Sequence, residues 1–213
     1  KLLEREINSV GGLKSWLRDR SELESVISED FAWRYINMTR FTENETYSKA
    51  YQDFVENIQP KMAPVSDQLN RKATSSEFLD VLANETGYDI MIRNLKKDIE
   101  IFREENIPLF TEISLEQQKY NTIAGAMMVE LDGKELTLQQ ASVKLMSVNR
   151  EERERVYHKI SSRRLQDKQA LDELFTKLID LRHRVAVNAG FKNFRDYMFT
   201  AMGRFDYTPQ DCF

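Results

Sequence analysis

The stretch that decides the fold is 150–188, REERERVYHKISSRRLQDKQALDELFTKLIDLRHRVAVN, which holds neither Pro nor Gly. Val156, Ile160, Leu171, Leu174, Phe175, Leu178, Ile179 and Val185 recur at i, i+3, i+4 spacing, the signature of one apolar stripe on a helix. At 1.5 Å per residue the stretch predicts a rod of about 58 Å, longer than a small domain is wide. Such a helix braces something larger than itself. Asn149-Arg150-Glu151-Glu152 in front of it reads as a capping box with Asn as the cap.

Outward from that rod, the same start signal recurs at Ser21-Glu22-Leu23-Glu24, Thr42-Glu43-Asn44-Glu45, Thr74-Ser75-Ser76-Glu77 and Thr137-Leu138-Gln139-Gln140. Apolar residues at helical spacing follow each one. Helices are predicted near 9–19, 21–39, 43–57, 61–72, 75–84, 88–105, 109–122, 138–146, 150–188 and 193–202. Pro60 and Pro64 mark an interruption, Gly87 and Asn106-Ile107-Pro108 mark two stops, and Gly190 and Gly203 sit where C′ glycines belong. Residues 124–137 break the pattern. Asp132-Gly133 supplies the positive φ of a two-residue type I′ turn, so this segment reads as the one small β-hairpin. The expected fold class is all-α, mostly helical. It divides into a helical region 1–122, the hairpin 123–137, and a long-helix region 138–213.

Composition agrees. Only 7 Gly and 4 Pro punctuate 213 residues, too few for the frequent turns of an all-β fold. A net charge of −4 gives no electrostatic reason to expect a nucleic acid or an anionic membrane. No apolar run approaches the length of a membrane span, and no basic stretch leads into an apolar core as in a signal peptide. At the other end Thr208-Pro209-Gln210-Asp211-Cys212-Phe213 reads as the start of a helix, with Thr as cap and Pro at the first position. We take it as the opening of a helix that continues past Phe213.

Candidate chemistry is sparse. A lone Cys212 excludes an internal disulfide and any multi-cysteine metal site. His158 can share a helix face with Glu154 and Glu151, but one histidine and two carboxylates are a poor zinc set, and the sequence holds no H-E-x-x-H. His183 lies between Arg182 and Arg184, which disfavour a bound cation. Gly11-Gly12 has neither the strand nor the lysine of a phosphate loop. Asn37, Asn44 and Asn84 head glycosylation-type triplets that need no secreted setting. Phe31, Trp33, Tyr35, Phe41, Tyr47, Tyr51 and Phe54 follow helical spacing and read as core. No catalytic or metal residue is assigned, and substrate-binding residues are left unknown.

Three stretches carry a resemblance. They are Leu13-Lys14-Ser15-Trp16-Leu17 with Phe31-Ala32-Trp33-Arg34-Tyr35-Ile36, then Asp132-Gly133-Lys134-Glu135-Leu136-Thr137 running on to Arg153, and Ala189-Gly190-Phe191-Lys192-Asn193-Phe194-Arg195-Asp196-Tyr197 leading to Gly203-Arg204-Phe205-Asp206-Tyr207-Thr208-Pro209. In this order they resemble the N-terminal half of an oligoendopeptidase F, a relative of thimet oligopeptidase. The resemblance implies a cytoplasmic zinc metallopeptidase that cuts short peptides in a channel between two helical lobes. Zinc there is held by an H-E-x-x-H helix that this chain lacks, so the metal ligands would belong to a C-terminal catalytic portion and the chain alone would be inactive. The implied partners are an oligopeptide substrate and that portion, with self-association of the separate piece through apolar area left beside 193–213. The other reading is a free-standing helical interaction or scaffold module.

Overall fold

The computed structural model describes residues 1–213. It is mostly helical with one two-stranded hairpin, and no helix is long and apolar enough to cross a membrane. The chain forms two compact units, residues 1–112 with 181–213, and residues 113–180.

The first unit opens with α1, Val10–Arg40, capped by Ser9, whose hydroxyl accepts from Gly12 N at 3.0 Å. The break expected at residue 20 does not occur. No Pro or Gly stands there, and the amides around Ser21 are already bonded within the helix, so the capping-box residues lie on an unbroken surface. A short α2 follows, Glu45–Asp53, and its cap is Asn44 rather than Thr42. The chain then widens into one π-helical stretch, Phe54–Ile58, and continues as α3, Gln59–Thr74. The two prolines therefore do not end the helical path: Pro60 stands in the first turn of α3 and Pro64 inside it. In an α-helix the Pro60 ring would meet the carbonyl four residues back. The π-turn avoids this, with Gln59 N–H reaching Phe54 O instead.

Thr74 does not start a helix. It ends one, its hydroxyl donating back to Asn70 O at 2.9 Å, and only the short α4, Leu79–Ala83, forms before α5, Tyr88–Ile101. Asn106-Ile107-Pro108 closes one segment and also opens the next, since α6 runs Asn106–Gly125 with Pro108 in its first turn. Asn106 is 1% exposed, donates to Val185 O at 3.0 Å and accepts from Asn188 Nδ2 at 2.8 Å. A core of Trp16, Leu69, Ala73 and Leu95 is edged by Leu2, Ile7, Leu17 and Met91.

The second unit holds β1, Met128–Leu131, and β2, Lys134–Thr137, antiparallel with Leu131 opposite Lys134 and Val129 opposite Leu136. Asp132 and Gly133 have φ of 54° and 72°, as the turn demands. Thr137 then closes a complete capping box with Gln140 at the head of α7, Leu138–Ser142, which tightens into a 3-10 turn at Val143–Met146. Val129, Leu131, Ala141, Val156 and Ile160 pack as this unit's core.

The predicted 39-residue rod is two helices, α8, Arg150–Gln166, and α9, Lys168–Asn188, separated by the single residue Asp167. Its carboxylate takes the Arg163 guanidinium and its N–H reaches back three residues to Arg164 O. Its own carbonyl still accepts from Leu171, so the interruption stays at one residue.

Back in the first unit, α10, Phe194–Ala201, is capped by Asn193. The segment after it is fastened to α5. Lys97 Nζ holds Ala201 O at 3.0 Å, and the Arg93 guanidinium lies 4.3 Å from the Phe205 ring centre and 3.4 Å from Asp206. The final helical signal yields one 3-10 turn, Pro209–Cys212, with Thr208 and Asp211 bonded reciprocally.

Candidate functional site

Chemistry in a helical chain needs either polar side chains brought together out of water or a shaped apolar surface. The first unit has one buried polar cluster. Arg20, Asp67 and Asn70 are each more than nine-tenths buried between α1 and α3. Arg20 Nε donates to Glu24 at 2.7 Å and Nη2 to Asn70 Oδ1 at 2.7 Å, while Asp67 accepts from Arg71 Nε at 2.6 Å. The second unit has one buried carboxylate, Glu116 on α6. Lys119 and Lys177 both reach its Oε1 at 2.7 Å. Burial pushes its pKa up, but the hydrogen bonds and charges of the two lysines outweigh that and hold it below the ordinary glutamate value. Both arrangements neutralise a charge rather than expose it, and neither presents a reactive group to solvent.

The hairpin apex is a third cluster. Asp132 accepts from Lys144 at 2.6 Å and from Arg155 at 3.0 Å, which holds its carboxyl below the usual range, and Lys144 also reaches Glu152. The backbone edges of the hairpin are partly taken. Lys159 donates to Glu130 O at 2.6 Å on one strand, and Gln140 Oε1 accepts Thr137 N–H at 2.9 Å on the other. That leaves little free edge for an added strand.

The aromatic residues divide. Phe31, Tyr35, Tyr51 and Phe54 form a seam between α1, α2 and the π-turn, with ring centres 5.0 to 6.0 Å apart. Arg34 lies over Phe54 at 5.6 Å, and burial pushes the Tyr51 hydroxyl pKa up. Phe41 lies tilted against Tyr47, with ring centres 5.4 Å apart, beside an open hollow lined by Arg40 to Glu45. Trp33, Tyr35 and Phe41 depart from the core reading. All three are exposed, Trp33 the most at 56%, because it stands on the face of α1 opposite Leu13, Trp16 and Arg20.

The histidines stay apart from any such cluster. His158 and His183 are both exposed, and the nearest carboxylate to His158 is Glu154 at 3.9 Å. No three His, Cys, Asp or Glu side chains come together in a way that could hold a metal ion. Cys212 is exposed and points its thiol at Thr208 O. Gly11 and Gly12 form the first turn of α1 beside Ser9. Sequence reasoning missed the buried charges Arg20, Asp67 and Glu116.

Residues 2–102 match the peptidase M3 N-terminal domain. No curated protein matches the sequence. Among solved structures, one described as an oligoendopeptidase F superposes with a TM-score of 0.90 at 22% identity, covering 98% of this chain and 37% of that one. A second so described, from Bacillus anthracis str. Ames, gives 0.78 at 19% identity over 94% of this chain and 35% of that one. PZ peptidase A, solved with an inhibitor, gives 0.76 at 20% identity over 99% of this chain and 41% of that one. The chain thus spans about two fifths of the length of the solved structures it matches. With the domain match over its first half and superposition over nearly all of it, the chain has the fold of the N-terminal part of an oligoendopeptidase F-like protein.

Proposed function

We propose that this chain is the non-catalytic portion of a zinc-dependent oligoendopeptidase, where it supplies one wall of the channel that admits short peptides. The observation that carries the reading is the superposition of 98% of this chain on 37% of an oligoendopeptidase F. The residues present do not fit a zinc site. A catalytic zinc needs three protein ligands and an open position, and here the two imidazoles stand on α8 and α9 without a ligand set around either. No step of peptide hydrolysis is therefore assigned to this chain. The ligands and the water-activating carboxylate would come from the rest of the polypeptide, the chain's main partner in this reading, and the setting would be cytoplasmic. The chain's own contribution is shape, since a narrow helical wall passes extended oligopeptides and excludes folded proteins.

The test is a quenched fluorescent oligopeptide offered to the complete polypeptide and to residues 1–213 alone. We expect turnover by the complete polypeptide, abolished by a chelator and restored by zinc, with none from residues 1–213. Chelator-sensitive turnover by residues 1–213, or no turnover of any short peptide by the complete polypeptide, would overturn the proposal.

A further inference from the structure

The buried polar cluster between α1 and α3 balances in charge but not in hydrogen bonds. Arg20, Asp67 and Asn70 are 8%, 9% and 6% exposed. Nε and Nη2 of Arg20 are engaged by Glu24 and Asn70, and Oδ2 of Asp67 by Arg71. Arg20 Nη1 and Asp67 Oδ1 remain, both buried and both without a protein partner. Their needs are complementary, because one is a charged donor and the other a charged acceptor. They are also close in the fold. Asn70, which already holds Arg20, lies three residues from Asp67 on α3, the spacing that places two side chains on neighbouring turns of one face. Yet the arginine and the aspartate form no direct ion pair.

We propose that one resident water joins them, accepting from Arg20 Nη1 and donating a proton to Asp67 Oδ1. A buried polar atom left without a hydrogen bond carries a desolvation cost, so two such atoms of opposite demand in one cluster call for a shared partner. Water is the smallest species that accepts and donates at once, and buried waters occupy sites of this polarity. The bridge ties α1 to α3 in a single register. A shift of either helix by one turn would carry Arg20 away from Asn70 and break the bridge, while the pairs with Glu24 and Arg71 along each helix would remain.

The test begins with a crystal structure of the protein resolved well enough to show ordered water. We expect one water within hydrogen-bond distance of both atoms. A direct contact between Nη1 and Oδ1, or a channel opening the pair to bulk solvent, overturns the proposal. In solution, a cross-peak from a long-lived water to the Arg20 guanidinium protons is expected, and its absence while those protons are visible counts against the water. A double-mutant cycle in urea completes the set. Arg20→Met and Asp67→Leu should each lower the unfolding midpoint, and the double variant should lose clearly less than their sum. Additive losses would show that the two groups do not interact. Should either single variant fail to fold, the wild-type crystal and water measurements decide the question.

Discussion

Replacing Trp16 separates two forces that hold the first unit together. Its side chain is fully buried among Leu69, Ala73 and Leu95, and its indole N–H donates to Leu2 O at 2.9 Å. Trp16→Ala removes the whole ring from a packed site, which costs about 3–5 kcal/mol. It also loses the hydrogen bond, about 1 kcal/mol more. Trp16→Phe keeps much of the packing and loses the bond, so about 1–2 kcal/mol is expected from the bond and the smaller ring together. For a chain of this length each kcal/mol lowers Tm by about 2–4 °C, so Trp16→Ala should melt roughly 8–24 °C lower. Urea unfolding followed by circular dichroism measures both variants without relying on the indole itself. Hydrogen exchange supplies the second readout. The segment 2–5 is held by Trp16 and by Lys72, which donates to Leu3 O and Arg5 O. The Phe variant should therefore loosen the backbone near Leu2 while Lys72 still retains the residues after it. A loss below about 1 kcal/mol for Trp16→Ala, or equal losses for the two variants, would refute the division into packing and hydrogen bonding.

Gly203 has φ of 65°, and a Cβ there would lie 2.8 Å from Asn94 Oδ1, so Gly203→Ala should cost about 1–3 kcal/mol by thermal unfolding. Adding Asn94→Ala should recover the clash but not the backbone strain. Thr137→Ala removes the hydroxyl arm of the capping box, which accepts from Gln140 N–H, for an expected loss of about 1 kcal/mol in urea, which Thr137→Ser should restore. Glu116 has a folded pKa held below its unfolded value, so its contribution is complete above the ordinary glutamate range and fades as pH falls through the lower folded value. Glu116→Gln should therefore cost about 1–3 kcal/mol at neutral pH, and the gap from wild type should close in acid. A gap that widens on acidification would reverse the assigned sign.

How far the fold was legible depended on whether a signal had a competitor for the same backbone. Thr137 and Asn149 stand before helices with free amides ahead, and both cap them, Thr137 with the full box and Asn149 with its side chain alone, since its own N–H goes to Ser147 Oγ rather than to Glu152. Ser21 and Thr74 carry the same motif but lie in or at the end of helices already formed, where the amides they would cap are taken or the hydroxyl turns back to a carbonyl. Pro60 and Pro64 read as a stop because sequence spacing cannot show a π-turn, which depends on buried Phe54 and Val55 anchoring the wider loop. Asp167 was invisible as a break because no Pro or Gly stands near it and its pairing with Arg163 four residues back is of the kind that supports a helix.

The buried charges were hidden for a different reason, and here the sequence did hold a signal. Arg20 continues the spacing Leu13, Trp16, and Glu116 continues Leu109, Ile113, so each charged residue falls in phase with an apolar stripe. A charge in that phase must be buried, and burial is tolerable only if the charge is paired. Each pairs first along its own helix, Arg20 with Glu24 four residues on and Glu116 with Lys119 three residues on, and Asp67 does the same with Arg71. Pairing along the helix forms with the helix itself and needs no distant partner to be in place. The contact across helices can then be a neutral amide, as Asn70 is for Arg20, or a cation at the rim, as Lys177 is for Glu116. An apolar stripe interrupted by a charge, with its opposite three or four residues further along, is thus a readable mark of a buried polar contact between helices. It is the mark that leads from the sequence of this chain to the cluster joining α1 and α3.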